Sequence, residues 1–374
     1  MKTHVAMKTG GPMKVIIAGG GTGGHLFPAV ALGEELKRER ADCEVFHVGT
    51  SNGIEATWLP RSGLKYELFP VRGLRGKDPV TRLRAIGEFV TAVRRAHTLL
   101  KKFGPDLVVS AGGYASAPMA MAAIISRVPL ILMEQNTRPG LSNRMLWRFA
   151  RKVCVGFADT AAFFEATRVV VTGNPVRLRF VPGTLRKTSV PLQILVLGGS
   201  SGAHRLNLGV VNALNILGKT VIKLKVVHQS GEADLELVTD RYRGFEGEAK
   251  VVPFIDDMAA VLDRADLIVA RSGAMTVSEI ALAGRAAIFV PYPFHRDRQQ
   301  ELNARVIERL GGAIIVKDDN SLGENLAVAL REFLAEPSRL IEMGRKAHQA
   351  AHPDAAARIA QVCFEIAGAE KQAA

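Results

Sequence analysis

A short apolar run that ends in a glycine-rich turn and opens a helix occurs twice in this chain. The copies are Ala18-Gly-Gly-Gly-Thr-Gly-Gly-His25 after Val15–Ala18, and Leu197-Gly-Gly-Ser-Ser-Gly-Ala-His204 after Ile194–Leu197. A turn of this kind presents backbone N–H groups and the positive end of a helix dipole, which suits a phosphate. Two such turns on two half-chains predict a protein that grips phosphate-bearing ligands from both sides of a cleft.

With 374 residues, 48% of them apolar, the chain exceeds one hydrophobic core, so two folded domains are expected. The first half alternates: strand Val15–Ala18, helix His25–Arg40, strand Glu44–Val48, helix Leu83–Lys102, strand Leu107–Ser110, helix Pro118–Ser126, strand Leu130–Met133. The second half follows with Ile194–Leu197, a helix after His204, Lys223–His228, Val251–Phe254, Leu267–Ala270, a helix from Thr276 and Ala287–Val290. Short apolar runs between amphipathic helices imply doubly wound α/β domains whose parallel sheets are covered on both faces. A second internal match, Asp106-Leu-Val-Val-Ser-Ala-Gly-Gly-Tyr-Ala-Ser116 against Asp266-Leu-Ile-Val-Ala-Arg-Ser-Gly-Ala-Met-Thr276, gives the two domains related plans. The expected N-terminal domain is 14–176, completed by an Ala-rich helix in 355–374 that packs back on it. The C-terminal domain is 177–354. The join falls near Gly173-Asn-Pro-Val-Arg177 and the stretch to Pro191. Residues 1–13 lack periodicity and read as a disordered extension in which Met1, Met7 or Met13 could open the natural chain.

Charge is unevenly spread. Residues 1–180 carry 26 Lys and Arg against 13 Asp and Glu, so the first half holds the whole net charge of +13. An anionic partner for that half is implied: a nucleic acid, a phospholipid surface or a phosphorylated substrate. With 6% aromatic residues and no RNA- or DNA-reading motif, nucleic acid is the disfavoured choice. Cys43, Cys154 and Cys363 are too scattered for a disulfide framework or a zinc site, which predicts a reduced cytoplasmic setting. Neither a signal-peptide h-region nor a membrane-spanning apolar run is present, so membrane contact would be peripheral.

Gly19-x-Gly21-x-x-Gly24 matches the dinucleotide fingerprint formally, but the second strand ends at Val48-Gly49-Thr50 without the carboxylate that holds a ribose. No Gly-Lys-Ser/Thr follows, which removes the P-loop reading. Eight ordered motifs carry a more specific resemblance. They are Gly20-Gly-Thr-Gly-Gly-His25, Gly112-Gly-Tyr-Ala-Ser116, Glu134-Gln-Asn136, Gly173-Asn-Pro-Val-Arg177, Gly198-Gly-Ser200, Phe254-Ile-Asp-Asp-Met258, Arg271-Ser-Gly-Ala-Met-Thr-Val-Ser-Glu279 and Asp297-Arg-Gln-Gln300. From Lys14 onward the chain resembles the MurG family, inverting N-acetylglucosaminyltransferases of glycosyltransferase family 28 in peptidoglycan synthesis. It departs at Met133, where the family usually has His, at Ser201, where it usually has Gln, and at Ala117-Pro118, where Gly-Pro is common.

The resemblance implies the GT-B architecture, two Rossmann-like domains facing across a cleft. The implied donor is UDP-N-acetylglucosamine (UDP-GlcNAc), and the implied acceptor is the undecaprenyl-diphosphate-linked muramyl-pentapeptide, lipid I. The implied product is lipid II, made at the cytoplasmic face of the bacterial inner membrane by a peripheral enzyme, with cell-wall and division proteins as candidate partners. The resemblance assigns the uracil edge to Ile255 and the ribose diol to Glu279, whose alternative is an ordinary first-turn helix glutamate. Ser200, with its loop amides, and Ala274, Met275 and Thr276 at a helix start would cap the diphosphate, and Val277 and Ser278 join the UDP-GlcNAc-binding set. Arg177 would reach the diphosphate or the sugar, or else sit as a solvated hinge arginine. Gln300 would read sugar hydroxyls, with Gln299 beside it. Thr22, Gly23, Gly24 and Asn136 join this substrate-binding set, the loop residues suiting the lipid diphosphate and Asn136 a sugar. Gly112, Gly113 and Tyr114 belong to the acceptor side.

Deprotonating the acceptor hydroxyl calls for a general base that titrates near neutrality, which histidine does without large tuning. His25 is the candidate base, with a hydrogen bond to the loop or a phosphate as its alternative, and Glu134 stands in reserve. There is no Asp-x-Asp metal motif. Asp256-Asp257 suits a helix cap, and no metal or other cofactor is expected.

The basic stretch 72–102 contains apolar residues at helical spacing. Ile86 to Val93 read as an ordinary buried stripe. Val80 and Leu83, beside Arg82 and Arg84, read as a monotopic foot on an anionic leaflet. A soluble enzyme of the same architecture, such as a UDP-GlcNAc 2-epimerase, is the nearest competing function.

Overall fold

A computed structural model describes residues 11–71, 79–176, 191–198, 203–218, 224–294 and 297–373, without the side chains of 79–84 and 371–373. The first lobe contains β1 (Lys14–Ala18), α1 (Gly23–Glu39), β2 (Glu44–Thr50), α2 (Glu55–Trp58), β3 (Tyr66–Phe69), α3 (Pro79–Phe103) and β4 (Leu107–Ser110). It continues with α4 (Gly113–Ile125), β5 (Leu130–Glu134), α5 (Leu141–Leu146), β6 (Lys152–Val155) and β7 (Val169–Val171). The second lobe contains β8 (Leu192–Leu197), α6 (His204–Leu217), β9 (Leu224–Gln229), α7 (Leu235–Arg241), β10 (Glu248–Val252), α8 (Met258–Arg264), β11 (Leu267–Ala270) and α9 (Ala274–Ala283). It closes with β12 (Ala286–Phe289), α10 (Gln299–Glu308), β13 (Ala313–Ile315), α11 (Leu322–Ala335) and α12 (Ser338–His348), before α13 (Ala355–Ala373).

All strand pairs are parallel, in the orders β3-β2-β1-β4-β5-β6-β7 and β10-β9-β8-β11-β12-β13. Central strands are apolar along their length because helices cover both faces, and every residue of β4 and β11 is buried. In each sheet the order reverses beside the central strand, so the loops after β1 and β4, and after β8 and β11, open at one switch point. The internal repeat is realised in bonds. Lys14 N donates to Asp106 Oδ2 at 2.7 Å, and Gln193 N donates to Asp266 Oδ2 at 2.8 Å.

The Ala-rich helix runs to Ala373 and buries Ile359, Ala360 and Cys363 against α1, β1 and β4. Met13 differs from the expectation of an extension: it is buried in this same cluster, and its carbonyl accepts from Glu44 N at 2.8 Å. Residues 1–10 lie outside the described residues. Asp257 caps α8 as expected, accepting from Ala260 N at 3.1 Å.

The stripe expected to be buried on α3 is buried only at its end, where Val93 packs against the core. Ile86 and Val90 are 53% and 45% exposed, while Ala85, Ala92, Ala96, Leu99 and Leu100 face the core. Small alanine side chains let α3 sit close on α4, with Ile86 and Val90 on the outward side.

Two buried histidines make stability depend on pH. His47 on β2 packs against Gly33 of α1, and His228 on β9 lies between Tyr242 Oη and Asn207 Oδ1. Burial pushes each down to about 4, so each stays neutral in the fold. The unfolded chain binds their protons below about 6.5, so stability is retained above that pH and lost as pH falls toward about 4. Each site costs up to about 1.4 kcal/mol per pH unit in that window. Thermal melts between pH 7.5 and 5 should show a falling Tm; a flat profile would contradict this.

Candidate active site

The turn after β1 places His25 in the first lobe's switch point. Its Nδ1 lies 2.9 Å from Ala111 O and 3.1 Å from Gln135 Oε1. A carbonyl oxygen only accepts, so Nδ1 carries the hydrogen and Nε2 keeps its lone pair in the neutral ring. The ring reaches this position because Gly113, at φ 76°, has no side chain: a Cβ there would stand 2.9 Å from His25 Cδ2 and 3.3 Å from Nε2. Thr22 is the exposed N-cap of α1 and makes no side-chain cap bond, which leaves the Gly23 and Gly24 amides unclaimed by the helix. Tyr114 lies over Gly21, its phenol pushed up by burial and then by the charge of Glu55. Thr22, Gly23, Gly24 and His25 of the turn after β1 therefore lie beside Gly112, Gly113 and Tyr114 of the turn after β4.

Glu55 was not anticipated. It is fully buried beneath the turn, and its Oε1 accepts from Gly21 N at 2.7 Å and Thr50 N at 2.9 Å. A Cβ on Gly20 would lie 2.2 Å from that oxygen, so the turn needs glycine there. Only tertiary folding brings this glutamate under a loop far from it in sequence.

Glu134, the expected reserve base, is engaged by its own loop. Its Oε1 accepts from Asn136 N and Nδ2 at 3.0 and 3.2 Å, and its Oε2 from Gly140 N and Asn143 Nδ2, both at 2.9 Å. This buried carboxylate accepts four hydrogen bonds and organises the 134–143 loop.

On the second lobe, α9 has Gly273 as its N-cap and no side-chain cap bond, so the helix itself leaves its first amides at Ala274, Met275 and Thr276 without a capping side chain. Val277 belongs to the core: it is 1% exposed and its amide bonds Gly273 O. Ser278 Oγ is taken by Asn174 Nδ2 at 2.9 Å and itself donates to Ala274 O. Ile255 N donates to Gln229 Oε1 at 3.1 Å, so a uracil would have to displace that side chain or use the Ile255 carbonyl. Glu279 is half-buried on α9. Gln300 Oε1 accepts from Tyr292 N at 2.9 Å, leaving its amide nitrogen for a ligand, while Gln299 Nε2 donates to Arg138 O across the lobes. Asn136 is held between Glu134 and Asn303. Arg177 and Ser200 lie outside the described residues. Among the described residues, no group of three His, Cys, Asp or Glu is placed to hold a metal ion.

Residues 15–155 match the glycosyltransferase family 28 N-terminal domain, and residues 193–359 match the family 28 C-terminal domain. The chain belongs to glycosyltransferase family 28. Curated family members similar to it include those from Syntrophotalea carbinolica, 41% identical over 95% of this chain and 99% of that protein, and Myxococcus xanthus, 40% identical over 95% and 93%. Both are named UDP-N-acetylglucosamine–N-acetylmuramyl-(pentapeptide) pyrophosphoryl-undecaprenol N-acetylglucosamine transferase. The crystal structure of Acinetobacter baumannii MurG superposes with a TM-score of 0.73 at 32% identity, covering 94% of this chain and 99% of that one. The GT-B fold extends further: a Neisseria meningitidis UDP-GlcNAc 2-epimerase superposes with a TM-score of 0.64 at 13% identity, over 95% of this chain and 100% of that one. That last likeness is one of fold alone.

In this family 28 chain a second exposed stripe escaped sequence reading. Leu141, Met145 and Phe149 are 59%, 64% and 61% exposed, four residues apart, along α5 and the turn that continues it. Arg144 and Arg148 are exposed beside them, and the Arg148 guanidinium lies 4.9 Å from the Trp147 ring centroid. The stripe starts beside the turn after β4, where Ser142 Oγ donates to Gly113 O at 3.4 Å. A run of buried alternation would have been legible; an exposed run beside arginines resembles solvated surface until its fold neighbours are known.

Proposed function

We propose that this enzyme transfers N-acetylglucosamine from UDP-GlcNAc to the 4-hydroxyl of the muramyl sugar in lipid I, producing lipid II with inversion at the anomeric carbon. Identity of about 40% along nearly the full length of named N-acetylglucosamine transferases carries this reading over the epimerase. In this reading His25 Nε2 takes the acceptor proton, the freed oxygen bonds the anomeric carbon, and UDP departs with the electrons of the broken C–O bond. The imidazolium that forms is supported by Ala111 O and Gln135 Oε1 at Nδ1. The α9 amides, with Arg177 and Ser200, meet the charge developing on UDP, which favours the transition state over the ground state. Gly23 and Gly24 amides receive the lipid diphosphate, Glu279 the ribose, and Gln300 the sugar. Residues 14–176 with 355–374 form the acceptor lobe, and 177–354 form the donor lobe.

No described helix is long and apolar enough to cross a membrane. A peripheral seat on an anionic leaflet is supported by Ile86 and Val90 on α3 and by Leu141, Met145 and Phe149 with Arg144 and Arg148. The expected foot at Val80, Arg82, Leu83 and Arg84 adjoins this α3 face in sequence, but its side chains are not described. Each basic residue near an anionic surface contributes about 1 kcal/mol, so changing both Arg144 and Arg148 to Glu should weaken anionic-vesicle binding more than about tenfold. Changing Arg82 and Arg84 to Glu should act in the same direction. Vesicle co-sedimentation across salt concentrations checks this, and salt-independent or undiminished binding contradicts it.

The transfer reading is tested by UDP release from UDP-GlcNAc with and without a muramyl lipid acceptor. Release should require the acceptor. Epimerised sugar formed without acceptor would support the competing activity.

A further inference from the structure

Four successive residues after Glu134 join the two lobes. Asn303, on α10 and 0% exposed, uses its whole side-chain amide there: Oδ1 accepts from Thr137 N and Oγ1 at 3.0 and 2.9 Å, and Nδ2 donates to Asn136 Oδ1 and Ser272 O at 3.1 and 3.2 Å. Arg138 O accepts from Gln299 Nε2 at 2.9 Å. Gln135 O accepts from Asn174 Nδ2, which also donates to Ser278 Oγ of α9. The other end of Gln135 faces the acceptor crevice. Its Nε2 donates to Ala111 O at 3.0 Å and its Oε1 lies 3.1 Å from His25 Nδ1.

We propose that Asn303 is a positioning residue that ties the orientation of His25 to the donor lobe through residues 135–137. The inference rests on the reading that His25 removes the acceptor proton. Ser272 precedes the open amides of α9, so one side chain grips both the donor loop and the strut that ends at the base. Only an amide satisfies this place. Aspartate would turn oxygens toward Asn136 Oδ1 and Ser272 O, and an aliphatic side chain would strand the partners. A strut displaced by about 1 Å would misdirect Nε2, and errors of that size cost about 100-fold in rate.

A double-mutant cycle tests it, with the lipid acceptor and UDP-GlcNAc as substrates. Asn303→Ala should lower kcat about 10- to 100-fold and leave KM for UDP-GlcNAc within about threefold. In a His25→Ala background the same change should cost less than about twofold, because the group it positions is gone. A residue that only held the fold together would lower activity equally in both backgrounds and raise both KM values. If Asn303→Ala does not fold, Thr137→Val removes one hydroxyl bond at constant shape and is judged by the same non-additivity. Multiplicative losses, or an unchanged kcat in either single variant at the strut, overturn the proposal while the base reading stands. A harmless His25→Ala overturns both.

Discussion

Replacing His25 with alanine is expected to lower kcat for transfer about 100- to 10,000-fold, the span that a positioned general base supplies. UDP-GlcNAc binding should stay within about twofold, because the ring sits on the first lobe and α9, the proposed donor site, belongs to the second. Two features underlie this expectation. Nδ1 is committed to Ala111 O, which fixes the tautomer, and Gly113 allows Nε2 close to the crevice wall. Kinetics paired with calorimetric titration of UDP-GlcNAc separates the two effects. An equal fall in binding and turnover would mean that the ring is holding the glycine turn instead of moving a proton.

Glu134→Gln is the second large effect, and it should appear in stability before chemistry. Glutamine keeps one accepting oxygen, but its NH2 must then face either the Asn136 donors or the Gly140 and Asn143 donors. Two charge-assisted bonds are lost at about 1.5–3 kcal/mol each, so a loss of about 3–6 kcal/mol is expected. For a lobe of this size that lowers Tm by roughly 10 °C. Transfer should fall as well, since the loop carries Gln135 and Asn136. Should Tm hold while transfer vanishes along with one ionisation in the pH–rate profile, Glu134 is the base after all and the assignment to His25 fails.

The central strands were legible because parallel sheets covered on both faces demand unbroken apolar runs, as at Leu107–Ser110 and Leu267–Ala270. The edge strands β3 and β7 carry partly exposed residues and were not read, nor was the short inner strand β6, while the edge strand β10 was met only in its last residues. Periodicity placed Ile86 and Val90 on one face of α3 but could not say which face; the alanines decided it by packing on α4. The glycine turns and His25 were visible because their chemistry is local. Glu55, Asn303 and Gln135 act through partners distant in sequence, so no spacing rule points to them. Gln135 lay inside a recognised motif, yet its neighbours Glu134 and Asn136 attracted the roles. Those two hold each other, with Gly140 and Asn143 completing the Glu134 bonds and Asn303 binding Asn136.

The most direct measurement is the mass of the lipid recovered after purified protein is incubated with UDP-GlcNAc and a synthetic polyprenyl-diphosphate muramyl-pentapeptide. Gain of a single N-acetylhexosamine on the muramyl lipid, matched by free UDP, is the expected result. Recovery of unchanged lipid, with the donor epimerised or hydrolysed instead, would contradict the assignment of a family 28 transferase whose two lobes bring a nucleotide sugar to a membrane-bound hydroxyl.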